Sequence, residues 1–243
     1  MPLGFHNTPG INIIKQGIYE ESSTPKYRLG DVLRLSDGRA FRYARNGAVA
    51  LAIGKYVTAV GAVETNKQVY AAAIGATSVG LKTSSAQTTS TQEGYFYVND
   101  GTGQGQYYKV RYTEAHPSSA SHTLVHLYDP LVTAVVASGT SEASLAYNPW
   151  TKVVVQAAQT KFVVGVPLIA VTADYYFWCQ TWGICCTLSG GSDAVGSILS
   201  TNGTNFGENL AVTASSIIQT YGLVVDATNV DTEYNLNYLT IAP

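Results

Sequence analysis

The sequence predicts an all-β protein, a sandwich or barrel. It adds an extended N-terminal arm. Three observations carry this. Short runs rich in Val, Ile, Thr and aromatic residues recur along the chain. Turn-forming pairs such as Asp37-Gly38, Gly190-Gly191 and Asn202-Gly203 separate them. Gly47, Gly54, Gly61 and Gly75 interrupt the Ala-rich stretch that could otherwise read as a helix. Many short strands with regular turn signals are the mark of a sandwich or barrel.

Residues 1–25 are expected to form the arm. Pro2, Pro9 and Pro25, with Gly4, Gly10 and Gly17, break regular structure there. Phe5, Ile11, Ile13, Ile14, Ile18 and Tyr19 nevertheless need burial, against a neighbouring subunit or against the body of their own domain. Residues 27–46, YRLGDVLRLSDGRAFRYARN, read as strand, turn, strand about Asp37-Gly38. The Ala-rich stretch 47–75 reads as short strands with at most one helical turn, because Gly47, Gly54, Gly61 and Gly75 oppose a long helix.

A second hairpin is expected where GYFYVND meets QYYKVRY across a tip rich in glycine (Gly101, Gly103, Gly105). That tip lacks the helix and spacing a phosphate-cradling loop requires. Residues 122–136 read as one more strand, ended near Asp129-Pro130. From 146 onward come further strands, the last alternating Tyr234, Leu236, Tyr238 and Thr240 against Leu239 and Ile241. It runs almost to Pro243, an ending expected of a chain with no further domain after it.

The aromatic run Tyr175, Tyr176, Phe177, Trp178 is the richest local feature. Alternation places Tyr176, Trp178 and Gln180 on one face, and Tyr175, Phe177 and Cys179 on the other. One face is core. The other is a second core face, a subunit interface or a sugar platform.

Charged residues are only 12% of the chain and apolar residues 46%. Ordinary soluble domains carry about 25% charged residues. A surface this neutral suits contact between proteins, so an oligomer or an assembly is expected. Charge is also uneven. Residues 1–45 hold seven Lys and Arg against four acids, while residues 162–243 hold six acids and no Lys or Arg. Opposite ends could attract in a subunit contact. The positive excess is too small for a nucleic-acid footprint, and no apolar stretch is long and uninterrupted enough to read as a membrane span.

No chemistry stands out. Elbow, triad and zinc-protease motifs are missing. Cys179, Cys185 and Cys186 are an odd set without a disulfide framework, and adjacent Cys185 and Cys186 face opposite ways on a strand. They read as small apolar residues in a reducing cytoplasm. His116, His122 and His126 lack further ligands at metal spacing. Asn202-Gly203-Thr204 reads as a turn before it reads as a glycosylation site. No catalytic residue, cofactor or metal is expected.

The blocks YRLGDVLRLSDGRAFRYARNG, GYFYVNDGTGQGQYYKV, LYDPL and YYFWCQTWG, then VGSIL and the terminal Tyr-rich strand, occur in this order. Together they resemble the capsid decoration (cement) and minor capsid proteins of tailed bacteriophages, over most of the chain from Tyr27. The resemblance implies a β-barrel or sandwich made in the bacterial host cytoplasm and placed on the outer capsid surface of the virion. Its partners would be the major capsid protein and itself, as a homotrimer. Such proteins clamp capsid subunits against internal DNA pressure and have no catalytic residues to carry over. A subdomain at 72–145, between 26–71 and 146–243 of one domain, is implied as well. Candidate interface residues are Phe5, Ile11, Ile13, Ile14, Ile18, Tyr19, Tyr176 and Trp178. The alternative is a receptor- or glycan-binding fibre module of the virion, using Tyr176, Trp178 or Trp182.

Overall fold

The computed structural model describes residues 5–6, 15–83, 91–115, 122–137, 141–157, 162–191, 193–201, 209–211, 219–228 and 230–243. The protein is all-β, as expected, and no α-helix forms among the described residues. Two compact units share the chain: one from Met1–Val60 and Pro149–Pro243, the other from Gly61–Asn148.

The inserted unit is a six-stranded sheet. Its strands are β6 (Ala62–Gln68), β7 (Ser78–Lys82), β8 (Tyr95–Gly101), β9 (Tyr107–Thr113), β10 (His122–Leu127) and β11 (Ser141–Ala146). They lie in the order β6-β11-β8-β9-β10-β7. The sheet curls until its two ends meet: Val69, just past β6, bridges Leu81 of β7, and the Tyr70 N–H donates to Gly80 O at 2.8 Å. Side chains of alternating parity fill the inside, among them Phe96, Val98, Val110, Val125, Leu127 and Leu145. The glycine-rich tip joins β8 to β9, and Gly101, Gly103 and Gly105 all have φ between 74° and 88°. Only glycine takes that conformation cheaply three times in five residues.

The expected subdomain of 72–145 is therefore corrected to 61–148. The reason is strand pairing: β6 runs antiparallel to β11, with Ala62 opposite Ala146 and Gln68 opposite Glu142. The segment AVETNKQ carries no hydrophobic period to announce that partner.

The other unit is built along one 15-residue strand, β14 (Tyr176–Gly190). Beside it run β2 (Glu21–Ser22), β4 (Ala40–Arg45) and β13 (Val163–Pro167), with β3 (Val32–Leu35) on the far side of β4. The sheet continues through β15 (Ile198–Thr201), β16 (Asn209–Ala211), β17 (Thr220–Asp226) and β18 (Asp231–Thr240). Short strands β1 (Phe5–His6), β5 (Val57–Thr58) and β12 (Val154–Val155) complete it. The β3–β4 hairpin turns at Asp37-Gly38 as expected, with the Gly38 N–H donating to Leu35 O at 3.1 Å. β4 pairs with the first half of β14 and β18 with the second, and Trp182 lies opposite both Ala40 and Thr240.

The first half of β14 is buried on both faces. Phe177 and Cys179 pack with Ala44, Leu51, Val57 and Val164. Trp178 packs on the other side with Ile18, Leu35, Phe41 and Tyr43. The second half is buried on one face, where Cys185 joins Tyr56, Tyr221, Leu199, Val224 and Leu239. Cys185 is buried and Cys186 exposed, as the strand parity predicts. This change from two-sided to one-sided burial positions the candidate site.

Candidate functional site

β18 is inverted relative to an ordinary half-buried strand, which turns apolar side chains inward. Its inward residues are Asn235, Asn237 and Leu239, all buried. Its outward residues are Tyr234, Leu236 and Tyr238, exposed by 40%, 39% and 36%. Burying an amide is tolerable only with hydrogen-bond partners, and neighbouring strands and turns supply them. Asn237 Nδ2 donates to Thr187 Oγ1 at 2.6 Å, and the Tyr56 hydroxyl donates to the same oxygen at 3.3 Å. Asn235 Nδ2 donates to Asp193 Oδ2, which also accepts from Ser189 Oγ at 2.7 Å. The Thr228 N–H donates to Asn235 Oδ1 at 2.9 Å. The polar layer lies inside and the apolar one outside.

The outward side chains join those of neighbouring strands. Ile184 pairs with Tyr238, Tyr238 with Leu223, and Leu223 with Ile198, so one apolar row crosses β14, β18, β17 and β15. Cys186 pairs with Leu236 in the next row, Leu236 lies opposite Asp226 on β17, and Val225 stands at the register shift just before Asp226. The Trp182 ring meets Tyr238 edge-on, with centroids 6.1 Å apart. Ile184, Ile198, Leu223 and Val225 are all exposed. Those rows carry no cation. Exposed Asp226, Asp231 and Glu233 gather at the β17–β18 turn. At the opposite end stands the β3–β4 hairpin: a side chain at Gly183 would touch Arg39, and Arg34 is exposed one strand further on. Arg39 pairs with Asp37 at 2.7 Å. Burial raises the Asp37 carboxyl, but hydrogen bonds and charge from Arg39 outweigh it and hold the group below its ordinary value.

A shallow cleft of about 280 Å³ opens on this face, lined by Tyr19, Arg39, Ile53, Ile184, Cys186 and Tyr234 among others. Burial pushes the Cys186 thiol above its ordinary value and the Cys179 thiol much further. Both are poor nucleophiles at neutral pH.

The interface residues expected from the sequence divide. Tyr19 is 63% exposed and borders the cleft. Phe5 lies in β1, opposite Leu35, while Ile11, Ile13 and Ile14 fall outside the described residues. Trp178 and Ile18 are corrected to core. Trp178 is 2% exposed, and its indole N–H donates to Gln16 O at 3.0 Å. Gln16 is itself buried: it accepts from the Tyr43 hydroxyl at 2.6 Å and donates to Glu20 O and Tyr176 O. With β2 paired to β14, residues 15–22 pack on their own unit. Tyr176 is half-buried, stacked on Tyr43 with the Arg45 guanidinium 5.8 Å from its ring.

Sequence reasoning missed Ile184, Ile198, Leu223, Val225, Leu236 and Tyr238. The signal was the Asn-x-Asn of β18, two amides at the parity opposite three apolar residues. Among the described residues no cluster of His, Cys, Asp and Glu is arranged to hold a metal ion. His126 meets Glu114 at 3.1 Å and His122 packs on Tyr70, while His116 falls outside the described residues. No described helix is long and apolar enough to cross a membrane.

Compared with known proteins, the chain matches no family model, no curated protein and no solved structure.

Proposed function

We propose that this chain is a structural virion protein of a tailed phage. In this reading it decorates and cements the outer capsid shell, binding the major capsid protein and itself, and performs no chemistry. One observation carries the binding part: an exposed apolar row without a cation spans four strands and is backed by a buried amide layer. Exposed contiguous apolar surface of this extent marks sites of protein contact. The virion part rests on the resemblance of the ordered sequence blocks to decoration proteins. Cementing suits such a surface, because many weak neutral contacts repeated by symmetry sum to strong attachment.

The experiment is co-sedimentation of the purified chain with empty shells of a major capsid protein, followed by heating of the decorated shells. Saturable binding with a raised shell-disruption temperature is the expected result. No binding to any shell of the producing phage overturns the proposal. The receptor- or glycan-binding reading would use Tyr176, Trp178 or Trp182; Trp178 is buried, while Tyr176 and Trp182 are half-buried.

A further inference from the structure

We infer that the face formed by β14, β18, β17 and β15 receives a second copy of this chain, in an antiparallel two-fold pairing centred near Cys186 and Leu236. The inference deepens the proposed function, since it rests on the reading that the chain works by protein contact.

Size is the first argument. Ile184, Ile198, Leu223, Val225, Tyr234, Leu236 and Tyr238 are each between 36% and 45% exposed. With about 200 Å² of accessible area for a free side chain of this size, they present on the order of 550 Å² of largely apolar surface. A specific interface buries about 800 Å² on each partner. The face with a rim of polar neighbours reaches that size, whereas an isolated side-chain pocket would not.

Charge is the second argument, and it selects the occupant. The row Ile184, Tyr238, Leu223 and Ile198 is uncharged, with Asp226 at its border opposite Leu236, so a neutral, apolar partner such as the face itself fits that row. The two ends differ in sign. Asp226, Asp231 and Glu233 lie at the β17–β18 turn, and Arg34 and Arg39 lie in the β3–β4 hairpin beside the Trp182 end. A two-fold axis through the centre turns the acidic end of one copy onto the basic end of the other, twice over. A parallel stacking would set acid on acid, which costs free energy at an interface. The three-fold assembly implied by the resemblance would need a separate head-to-tail contact, because a two-fold face pairs only with itself.

The protein carries its own reporter. Cys186 is the exposed thiol in the middle of the face, while Cys179 and Cys185 are buried in the core. The experiment measures the mass of the full chain by light scattering from low to high micromolar concentration. In parallel it follows the rate of Cys186 modification by a maleimide at mildly alkaline pH. The expected result is a mass that rises from 25.8 kDa to twice that value, with Cys186 modification slowed at least tenfold as it rises. Leu223→Asp should keep the mass single and Cys186 reactive at every concentration, with unchanged tryptophan fluorescence showing that the unit is folded. Glu233→Lys should raise the dissociation constant severalfold, and adding Arg34→Glu to it should restore pairing. A chain that stays single throughout overturns the inference. So does an oligomer whose mass and Cys186 reactivity ignore Leu223→Asp. Pairing through this face without shell binding leaves the inference standing and overturns the capsid reading. Shell binding by a chain that stays single does the reverse.

Discussion

Gly222 offers the sharpest test of how β17 is held against β18. A Cβ added there would land on Tyr238 O, far inside van der Waals contact, and would lie 3.1 Å from Tyr238 C and 3.3 Å from Leu199 Cδ1. The first two are backbone atoms of the paired strand, so no side-chain rotation relieves them. Gly222→Ala must push β17 away from β18. Overpacking within a core costs about 1–3 kcal/mol when side chains can give; against a rigid strand we expect at least about 3 kcal/mol. Gly196 is the control. It has a φ of +83° but nothing within 4 Å of an added Cβ. Gly196→Ala should therefore show only the left-handed backbone penalty, about 1 kcal/mol.

The assay is urea unfolding followed by tryptophan fluorescence. Trp150, Trp178 and Trp182 are the three tryptophans of the chain, and all belong to the unit of Met1–Val60 and Pro149–Pro243. The signal therefore reads that unit alone. At a denaturant slope of about 2 kcal/mol per molar, Gly222→Ala should lower the midpoint by about 1.5 M and Gly196→Ala by about 0.5 M. A midpoint for Gly222→Ala no lower than that for Gly196→Ala would refute the reasoning.

Thr187→Val keeps the shape of a fully buried side chain but removes the oxygen that accepts from Asn237 Nδ2 and the Tyr56 hydroxyl. A stranded buried donor costs about 1–3 kcal/mol, so the same melt should weaken by that amount; an unchanged or higher midpoint contradicts the amide-layer account. Burial pushes Tyr43 up to about 12, and Tyr56 and Tyr221 further in the same direction. Their neutral forms are favoured in the folded state, so this stability is fully present below the ordinary value of 10.0 and lost as pH rises toward 12. Absorbance near 295 nm should show these three phenols ionising only as the tryptophan signal reports unfolding; complete titration of all 17 tyrosines in the folded chain would contradict it. In the inserted unit, Lys109 Nζ stands 2.8 Å from the carboxylate of buried Glu93. Lys109→Met should destabilise that unit by about 1–3 kcal/mol. Amide exchange of β8 and β9 should accelerate while the tryptophan melt stays unchanged; slowed or unchanged exchange would count against the pair.

The two expected hairpins were legible because their turns are local. Asp37-Gly38 and the Gly101–Gly105 tip dictate chain reversal within a few residues, whatever surrounds them. The insert boundary was not legible, because β6 is recruited by β11, more than seventy residues away, without a hydrophobic period of its own. The aromatic run of β14 could be sorted into two faces but not assigned. Burial of both faces depends on layers contributed by residues 15–45 on one side and by Leu51, Val57 and Val164 on the other.

The candidate face divides in the same way. Alternation along the last strand determines, from sequence alone, that Tyr234, Leu236 and Tyr238 share one side and Asn235, Asn237 and Leu239 the other. Only the tertiary structure decided which side is inside. Thr187 and Asp193 meet the amides from segments forty or more residues away, and their hydrogen bonds make the polar side the buried one. A period of two says which residues travel together; the layer that covers them comes from the rest of the chain.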